Sequence, residues 1–512
     1  MSSEQQWSSR LTFILAGIGA AIGLGNLWRF PYVCYDNGGG AFLIPYVVAL
    51  LFAGIPLWLM ESALGYRTRA GVPGSFRLLI GRNTAWIGWL VVILTVILMA
   101  YYSVIMAWGV NYIGFAATLA WGSDPEGFFY ATFLCLSPDI FTPGGMNWPV
   151  VLGAVISWIA VYISIFRGIR SVEKVVWLTV LLPWVFLIVM VVRGVTLPGA
   201  IDGLAYYLTP DFAALTRPGV WVAAFGQIFY SLSIGMGIMI AYAKFLPDQH
   251  DLVRSGFLIC IANGITSFVA GIAVFSTLGY LAHTTGVPVP DVVQGGIELA
   301  FVVYPAAISL LPLAPGVFGI LFFLMFVTLA VDSIFAAVEG ISISLQDYIS
   351  TPPMLLSAMV SLGIFLAGLI FMTEGGLYWL DLIDSYYNSF AILIVGILEA
   401  VVIGHLYGAG RLRGFMNASA SHPVGRWWDI SIRYLVPAVL IVAVATNLIA
   451  RIGTPYGGYP PLAQAVGWAF VLGTPIAAVG VSRLFEGGHG TDGHAEGLPQ
   501  PEPADAGQVI RD

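Results

Sequence analysis

The sequence predicts an all-α polytopic membrane protein of twelve transmembrane helices, with the first and sixth helices unwound within the membrane. Three observations carry that prediction. Only 9% of the 512 residues are charged and 59% are hydrophobic, whereas an ordinary soluble domain carries roughly 25% charge. Apolar runs long enough to span a bilayer as a helix, about 20 residues, recur almost from end to end. Two of these runs are broken by glycines and polar residues, and the two take the first place in successive sets of five helices. The composition also excludes other classes. Lys+Arg 20 against Asp+Glu 27 gives a net charge of -7, and no basic block tracks a phosphate backbone, so nucleic acid is not a partner. Cys34, Cys135 and Cys260 are odd in number and widely spaced, and offer neither a disulfide framework nor a zinc site. No nucleophile–base pair or metal cluster stands at the spacing an enzyme needs.

Hydropathy broken at charged or Gly/Pro-rich stretches places the spans at 11–34, 40–65, 85–115, 149–166, 172–195, 219–246, 251–281, 316–349, 354–372, 376–405, 432–451 and 463–484. The segment 1–10 is polar and lacks the charged, apolar and small-residue order of a cleaved signal, so the first span is read as retained. Sixteen Lys and Arg, from Arg10 through the group Arg67, Arg69, Arg77 and Arg82 to Arg511, fall on one side of these spans, and only Arg193, Arg217 and Arg451 on the other. Cytoplasmic loops carry the excess, so both termini are expected in the cytoplasm of a multi-pass protein of the plasma (inner) membrane. The loops 116–148 and 282–315 are then extracellular. Residues 485–512 are rich in Gly, Pro, Asp and Glu without apolar periodicity and read as a disordered cytoplasmic tail.

The first span contains Gly17, Gly19, Gly23 and Gly25, followed by Asn26 and by Arg29 at membrane depth. Close helix packing is one reading of these glycines and serves Gly17 and Gly19 taken alone as well as an unwound segment does. Four glycines with a polar Asn26 and a charged Arg29 fit an unwound segment, which membranes tolerate where backbone lines a cavity. The sixth span is interrupted at Gln227 and in YSLSIGMG, Tyr230 to Gly237. Paired discontinuous helices in corresponding halves point to an inverted-repeat secondary transporter: 11–195 forms the first repeat, 219–405 the second, and 432–484 adds helices eleven and twelve. Half-helix N-termini then face an anionic group of the substrate while freed carbonyls coordinate a cation.

The motifs GAAIGLGNLWRFPYVCYDNGGGAFLIPY (from Gly19), GQIFYSLSIGMG (from Gly226), AFVVYPAAI (from Ala300) and TLAVDSIFAAVEG (from Thr328) closely resemble the neurotransmitter:sodium symporter family, over about residues 7–484. The resemblance implies the leucine-transporter-like 5+5 fold and sodium-coupled symport of a small-molecule substrate. It implies a first sodium site at Ala21, Asn26, Ser231 and Asn263, completed by a substrate carboxylate. The second would use Gly19, Ile22, Leu329, Asp332 and Ser333. The substrate pocket would be lined by Gly23, Leu24, Gly25, Leu98, Tyr102, Tyr230, Ser231, Ser233, Met236, Ser333, Ile334 and Ala337, with Tyr102 on the carboxylate and Tyr230 as a lid. Family members for monoamines hold the amine with an aspartate where this chain has Gly23. A neutral amino acid carrying its own carboxylate is therefore expected, with GABA, proline, taurine or a related amino sulfonate as the alternative. No motif fixes the oligomeric state.

Two sodium ions and a zwitterion bring about two positive charges into a low-dielectric centre, and unpaired buried charge is costly. Asp332 offsets one. Some bacterial members supply another carboxylate on the seventh helix, where this chain has Ser267. Tyr46, Gln227, Ser231 and Ser267 match the chloride site of the chloride-dependent animal members, so chloride is expected as a further ion. Arg29 and Asp384 match the outer gate, Trp7 and Asp347 the inner one. The arginine that the family places before the tryptophan is Glu4 here. Asp347 is then expected to pair with Arg10 or to stay unpaired, weakening the inner gate and favouring inward opening. Glu61, Glu339 and Glu399 are expected to hydrogen-bond between helices, and no histidine stands near the pocket to relay protons.

Overall fold

A computed structural model describes residues 6–293 and 295–487. Glu4 and most of the tail expected at 485–512 lie outside the described residues. Among these residues the chain is helical throughout, with only two isolated β-bridges, Gly39 with Pro210 and Met146 with Thr373. In a bilayer every backbone N–H and C=O needs an internal partner, which restricts an open chain of this composition to helices.

Ten helices are long and apolar enough to cross a membrane alone: Gly40–Thr68, Arg82–Thr118, Trp148–Ile165, Ile169–Val195, Leu252–Thr285, Pro315–Gln346, Pro353–Met372, Gly376–Asn417, Arg426–Gly458 and Pro461–Phe485. They correspond to the second to fifth and seventh to twelfth expected spans. The first span is a broken pair, Arg10–Ala21 and Gly25–Asp36, bent by 54°. The sixth span is broken as well, where the sequence places an interruption. It consists of Pro218–Ser231 and Ile238–Ala243, each too short to cross alone. Between them Ser233, Gly235 and Gly237 take positive φ values of 53°, 77° and 70°, which a helix cannot accommodate.

Local chemistry explains several boundaries. Ser9 caps Arg10–Ala21 with reciprocal bonds to Thr12, a capping box in which threonine replaces the usual acid. Asn147 and Asp251 accept from the third N–H of the helices they precede, satisfying donors that a helix start leaves free. Proline stands at the start of Pro218–Ser231, Pro315–Gln346 and Pro353–Gly368, where its missing N–H is no loss.

Burial ranks the helices. In Arg82–Thr118 83% of the most apolar window is buried, against 22% in Arg426–Gly458 and 28% in Pro461–Phe485. The third span is the most buried, the second follows at 67% and the tenth at 61%, and the last two are peripheral. At the end opposite the arginine-rich one, the long loops are seated on an aromatic cluster: Tyr112, Phe129, Phe301 and Phe323 have ring centroids 4.9–6.3 Å apart.

Candidate functional site

The two breaks meet at one depth. Ser233 Oγ donates to Ala20 O (2.9 Å), joining the unwound stretch of the sixth span to the end of the first half-helix. Two of the freed backbone groups find side-chain partners: Gly235 N–H donates to Glu61 Oε1 (2.6 Å) and Thr95 Oγ1 to Met236 O (3.2 Å). Glu61 thus bonds between helices as expected, and Glu399 lies beside it. Glu339 and Glu399 depart from the expectation, because Glu339 Oε2 and both Glu399 carboxylate oxygens are buried without a hydrogen-bond partner.

A pocket lies between the breaks. Ten of the twelve expected substrate residues line it: Gly23, Leu24, Gly25, Leu98, Tyr102, Tyr230, Ser231, Ser233, Met236 and Ser333. Ile334 and Ala337 do not; both are fully buried in the eighth span. Met99 and Ile238 line it instead. Met99 directly follows Leu98, and Ile238 restarts the sixth span, so neither position carries a motif signal. Tyr102 OH accepts the Leu24 N–H (3.3 Å). A Cβ at Gly25 would approach the Tyr230 ring to 2.5 Å, and one at Gly23 would reach Ser333 Oγ at 2.7 Å. The glycines therefore let two side chains close over the backbone.

Two clusters of oxygen atoms flank the pocket. In the first, Asn26 Nδ2 donates to Asn263 Oδ1 (2.8 Å) and Ser267 Oγ (2.8 Å), and Asn26 Oδ1 accepts the Gly23 N–H (3.0 Å). The Asn263 amide also faces Ala21 O at 3.1 Å and Ser231 O at 3.2 Å. Its NH2 turned that way donates to both carbonyls; its oxygen turned that way sets three oxygens together, as a cation site would. These residues fit an alkali ion. In the second, Gly19 makes room for Asp332, whose Oδ2 would lie 2.0 Å from a Cβ added at Gly19. Asp332 is 2% exposed and its Oδ1 has no hydrogen-bond partner, so a hard oxygen stands available to a cation. Ser333 Oγ donates to Leu329 O (3.3 Å), and Ile22 is extended (φ −85°, ψ 104°), outside the helical conformation.

The four residues expected to hold an anion are not all gathered. Tyr46 OH donates to Ser267 Oγ (3.3 Å), and Ser231 also lies against Tyr46. Gln227 turns elsewhere: its Nε2 donates to Gly25 O (3.3 Å) and its Oε1 accepts from Arg29 (2.8 Å).

The two ends of the bundle differ. Arg29 stands over the Tyr230 ring at 5.0 Å, while Asp384 accepts from Tyr101 OH (2.8 Å) and Asn388 Nδ2 (2.9 Å). The expected Arg29–Asp384 ion pair is not made here. Both residues line a cavity of about 740 Å³ that shares Tyr102 and Tyr230 with the pocket below. At the arginine-rich end the expectation of a weak seal is corrected. Asp347 pairs with Lys244 (2.7 Å) and accepts the Gly71 N–H (2.6 Å). Arg10 is turned to Ser255 Oγ (3.3 Å). Trp7, 4% exposed, donates through Nε1 to Tyr242 O (2.9 Å) and through its backbone to Phe245 O (3.0 Å). Lys244 does the pairing because the sixth span ends directly beside Asp347. Glu173 was also without a sequence signal. From the fifth span it accepts Ser8 N–H (2.5 Å) and Thr12 Oγ1 (3.4 Å), tethering the start of the first half-helix.

Comparison with known proteins agrees with this architecture. The model of the sodium:neurotransmitter symporter family matches residues 4–124 and 117–485. An uncharacterized sodium-dependent transporter of Methanocaldococcus jannaschii is 40% identical over 458 residues, 89% of this chain and 93% of that protein. The sodium- and chloride-dependent GABA transporter 2 of Bos taurus is 35% identical, covering 92% of this chain and 85% of its own. The sodium- and chloride-dependent creatine transporter 1 of the same species is 33% identical, covering 92% and 82%. The chain belongs to the sodium:neurotransmitter symporter family and is a sodium-dependent membrane transporter, not an enzyme.

Proposed function

We propose that the chain imports a neutral amino acid with two sodium ions and chloride, by alternating access in the plasma (inner) membrane with both termini cytoplasmic. The observation that carries the reading is the pocket itself: two broken helices meet around it, with oxygen-rich clusters on either side. The substrate carboxylate sits at the Gly23–Gly25 backbone and the Tyr102 hydroxyl, completing the shell of Ala21, Asn26, Ser231 and Asn263. Leu98, Met99, Met236 and Ile238 receive the side chain; thioethers adapt to its shape. Asp332 with the carbonyls of Gly19, Ile22 and Leu329 and the Ser333 hydroxyl holds the second sodium. The open cavity above Tyr230, opposite the closed Trp7–Lys244–Asp347 end, corresponds to an outward-facing conformation. Arg29 then leaves Gln227 Oε1 to meet Asp384 when substrate is bound, so that the Gln227 side chain is held only through Nε2 on Gly25 O.

Chloride follows from charge. Tyr46, Ser231 and Ser267 supply hydroxyl donors with no acidic side chain among them, so a mobile anion offsets the charge that Asp332 does not. Uptake into proteoliposomes, with external sodium and chloride replaced separately by choline and gluconate, tests the reading. Loss of accumulation in both is expected, and sodium-indifferent uptake sinks it. Ser267→Glu should make uptake insensitive to chloride; full dependence in that variant refutes the anion site. A second reading, an omega-amino acid or amino sulfonate such as GABA or taurine, or the imino acid proline, is favoured by the likeness to a GABA transporter across 92% of this chain. A competition panel of α- and omega-amino acids separates the two.

A further inference from the structure

We propose that Glu339 is a transit site for sodium, receiving the ion that leaves Asp332 before it reaches the arginine-rich end. The inference rests on the sodium-coupled reading and adds a site to it. Asp332 and Glu339 are seven residues apart on the helix Pro315–Gln346, two turns along one face, with an axial separation of about 10 Å. Both are buried, Asp332 at 2% and Glu339 at 3% exposure. Asp332 Oδ1 and Glu339 Oε2 lack hydrogen-bond partners, as does the fully buried Tyr242 hydroxyl. Glu339 and Tyr242 adjoin one packing contact, each being next in sequence to Gly340 or Ala241, which meet there. The eighth span meets the second half of the sixth there, since a Cβ at Gly340 would lie 3.6 Å from Ile238 Cα and 3.8 Å from Ala241 Cβ.

Glu61 has a donor in Gly235 N–H, and Glu399, which has none, lies against Glu61; Glu339 Oε2 has no donor. Leaving a buried carboxylate oxygen without one is costly. Carboxylate and phenol oxygens are hard ligands of the kind that suit an alkali cation, and they stand between the second sodium site and the seal. Trp7 closes the path beyond them, bonded to Tyr242 O and edge-on to its ring with centroids 5.4 Å apart. Glu339 thus offers a second negative stop on the route out, available once Trp7 and the Lys244–Asp347 pair part.

The test compares wild type, Glu339→Gln and Glu339→Asp, with radioactive sodium as the probe. Equilibrium sodium binding is measured in detergent, and sodium delivery into the lumen is measured in oriented proteoliposomes. The expected result is a sodium affinity for Glu339→Gln within about twofold of wild type, with lumenal delivery at least fivefold slower. Glu339→Asp should recover more than half of the lost rate. Wild-type delivery by Glu339→Gln overturns the proposal and leaves Glu339 an uncharged buried acid. Equal loss of sodium affinity and melting temperature in both variants overturns it in favour of a packing role. Failure of wild type itself to bind sodium is a different result, and overturns the sodium-coupled reading on which the site depends.

Discussion

Replacing Lys244 with glutamine releases the seal at the arginine-rich end by an amount the geometry sets. Lys244 Nζ and Asp347 Oδ1 are 2.7 Å apart, with side chains 19% and 20% exposed. At an effective dielectric of about 20 the gross attraction is roughly 6 kcal/mol. Desolvation of both groups and the entropy of fixing a lysine reduce this to a net of about 1–2 kcal/mol. Asp347 keeps the Gly71 N–H and Trp7 keeps Tyr242 O, so the seal weakens without collapsing. Because about 1.4 kcal/mol is tenfold in an equilibrium, the inward-open population should rise about 5–30-fold. Hydrogen exchange of amides in residues 7–21 reads that population directly when opening is fast and reversible. Asp347→Asn should act similarly, and the double variant should add little to either single one, since both remove the same interaction. Exchange within twofold of wild type in Lys244→Gln would refute the assignment of the pair as the seal.

Three further outcomes follow from the same geometry. Gly19→Ala places a Cβ 2.0 Å from Asp332 Oδ2 and 2.6 Å from its Cγ, which forces the carboxylate out of place; the sodium concentration for half-maximal uptake should rise at least tenfold with little change in melting temperature. Glu173→Gln removes the charge that accepts Ser8 N–H and Thr12 Oγ1, and amide exchange over 8–12 should rise about 2–10-fold, the loss of roughly 0.5–1.5 kcal/mol, while 172–195 stays protected. His250 lies in the connection after the sixth span, its Nε2 3.0 Å from Ser255 Oγ and its ring against Phe13. Burial, aided by Arg10 and opposed by Asp251, pushes its pKa down from 6.5 to about 4. The folded state then favours the neutral ring, so its contribution is full above pH 6.5 and is lost as pH falls toward about 4. Melting temperature should drop across that window in wild type and less in His250→Gln.

What was legible in the sequence was what the bilayer and the cargo both constrain. Span lengths follow from bilayer thickness, and the breaks from glycines and polar residues that no continuous apolar helix would carry. Ser233, Gly235 and Gly237 show the second break in their positive φ values, as the run YSLSIGMG suggested. What was not legible depends on which span ends meet. Glu4 in place of an arginine implied a weak inner seal, yet Lys244 and Asp347 are 103 residues apart and nothing local marks them as partners. Glu173 and Thr12 are 161 apart and are equally silent. Ile334 and Ala337 fit the motif but turn into packing, because helix rotation about the eighth span decides which face meets the pocket. Glu339 was expected to bond across helices like Glu61; residue type alone cannot distinguish a satisfied acid from one left open.

The pattern of ties also indicates which parts move together. At the pocket Ser233 Oγ holds Ala20 O (2.9 Å), and at the arginine-rich end Trp7 holds Tyr242 O (2.9 Å) and Phe245 O (3.0 Å). The inner halves of the first and sixth spans are thus joined at both ends. The second span adds Arg69 Nη1 on Lys244 O (3.0 Å), and the seventh adds Ser255 Oγ for Arg10 Nε (3.3 Å). Against the eighth and fifth spans this group is held at that end by Lys244 to Asp347 and by Glu173 to Ser8 and Thr12. An opening that separates the first, second, sixth and seventh spans as one body from the eighth and fifth breaks those polar contacts and leaves the ties within the body intact. Any opening that peels the first half-helix away alone must also break the Trp7 and Ser233 bonds and expose the Ala20 carbonyl, at roughly 1 kcal/mol or more for each. The collective motion is therefore the less costly one, and it is the motion that would uncover Asp332 and Glu339 together.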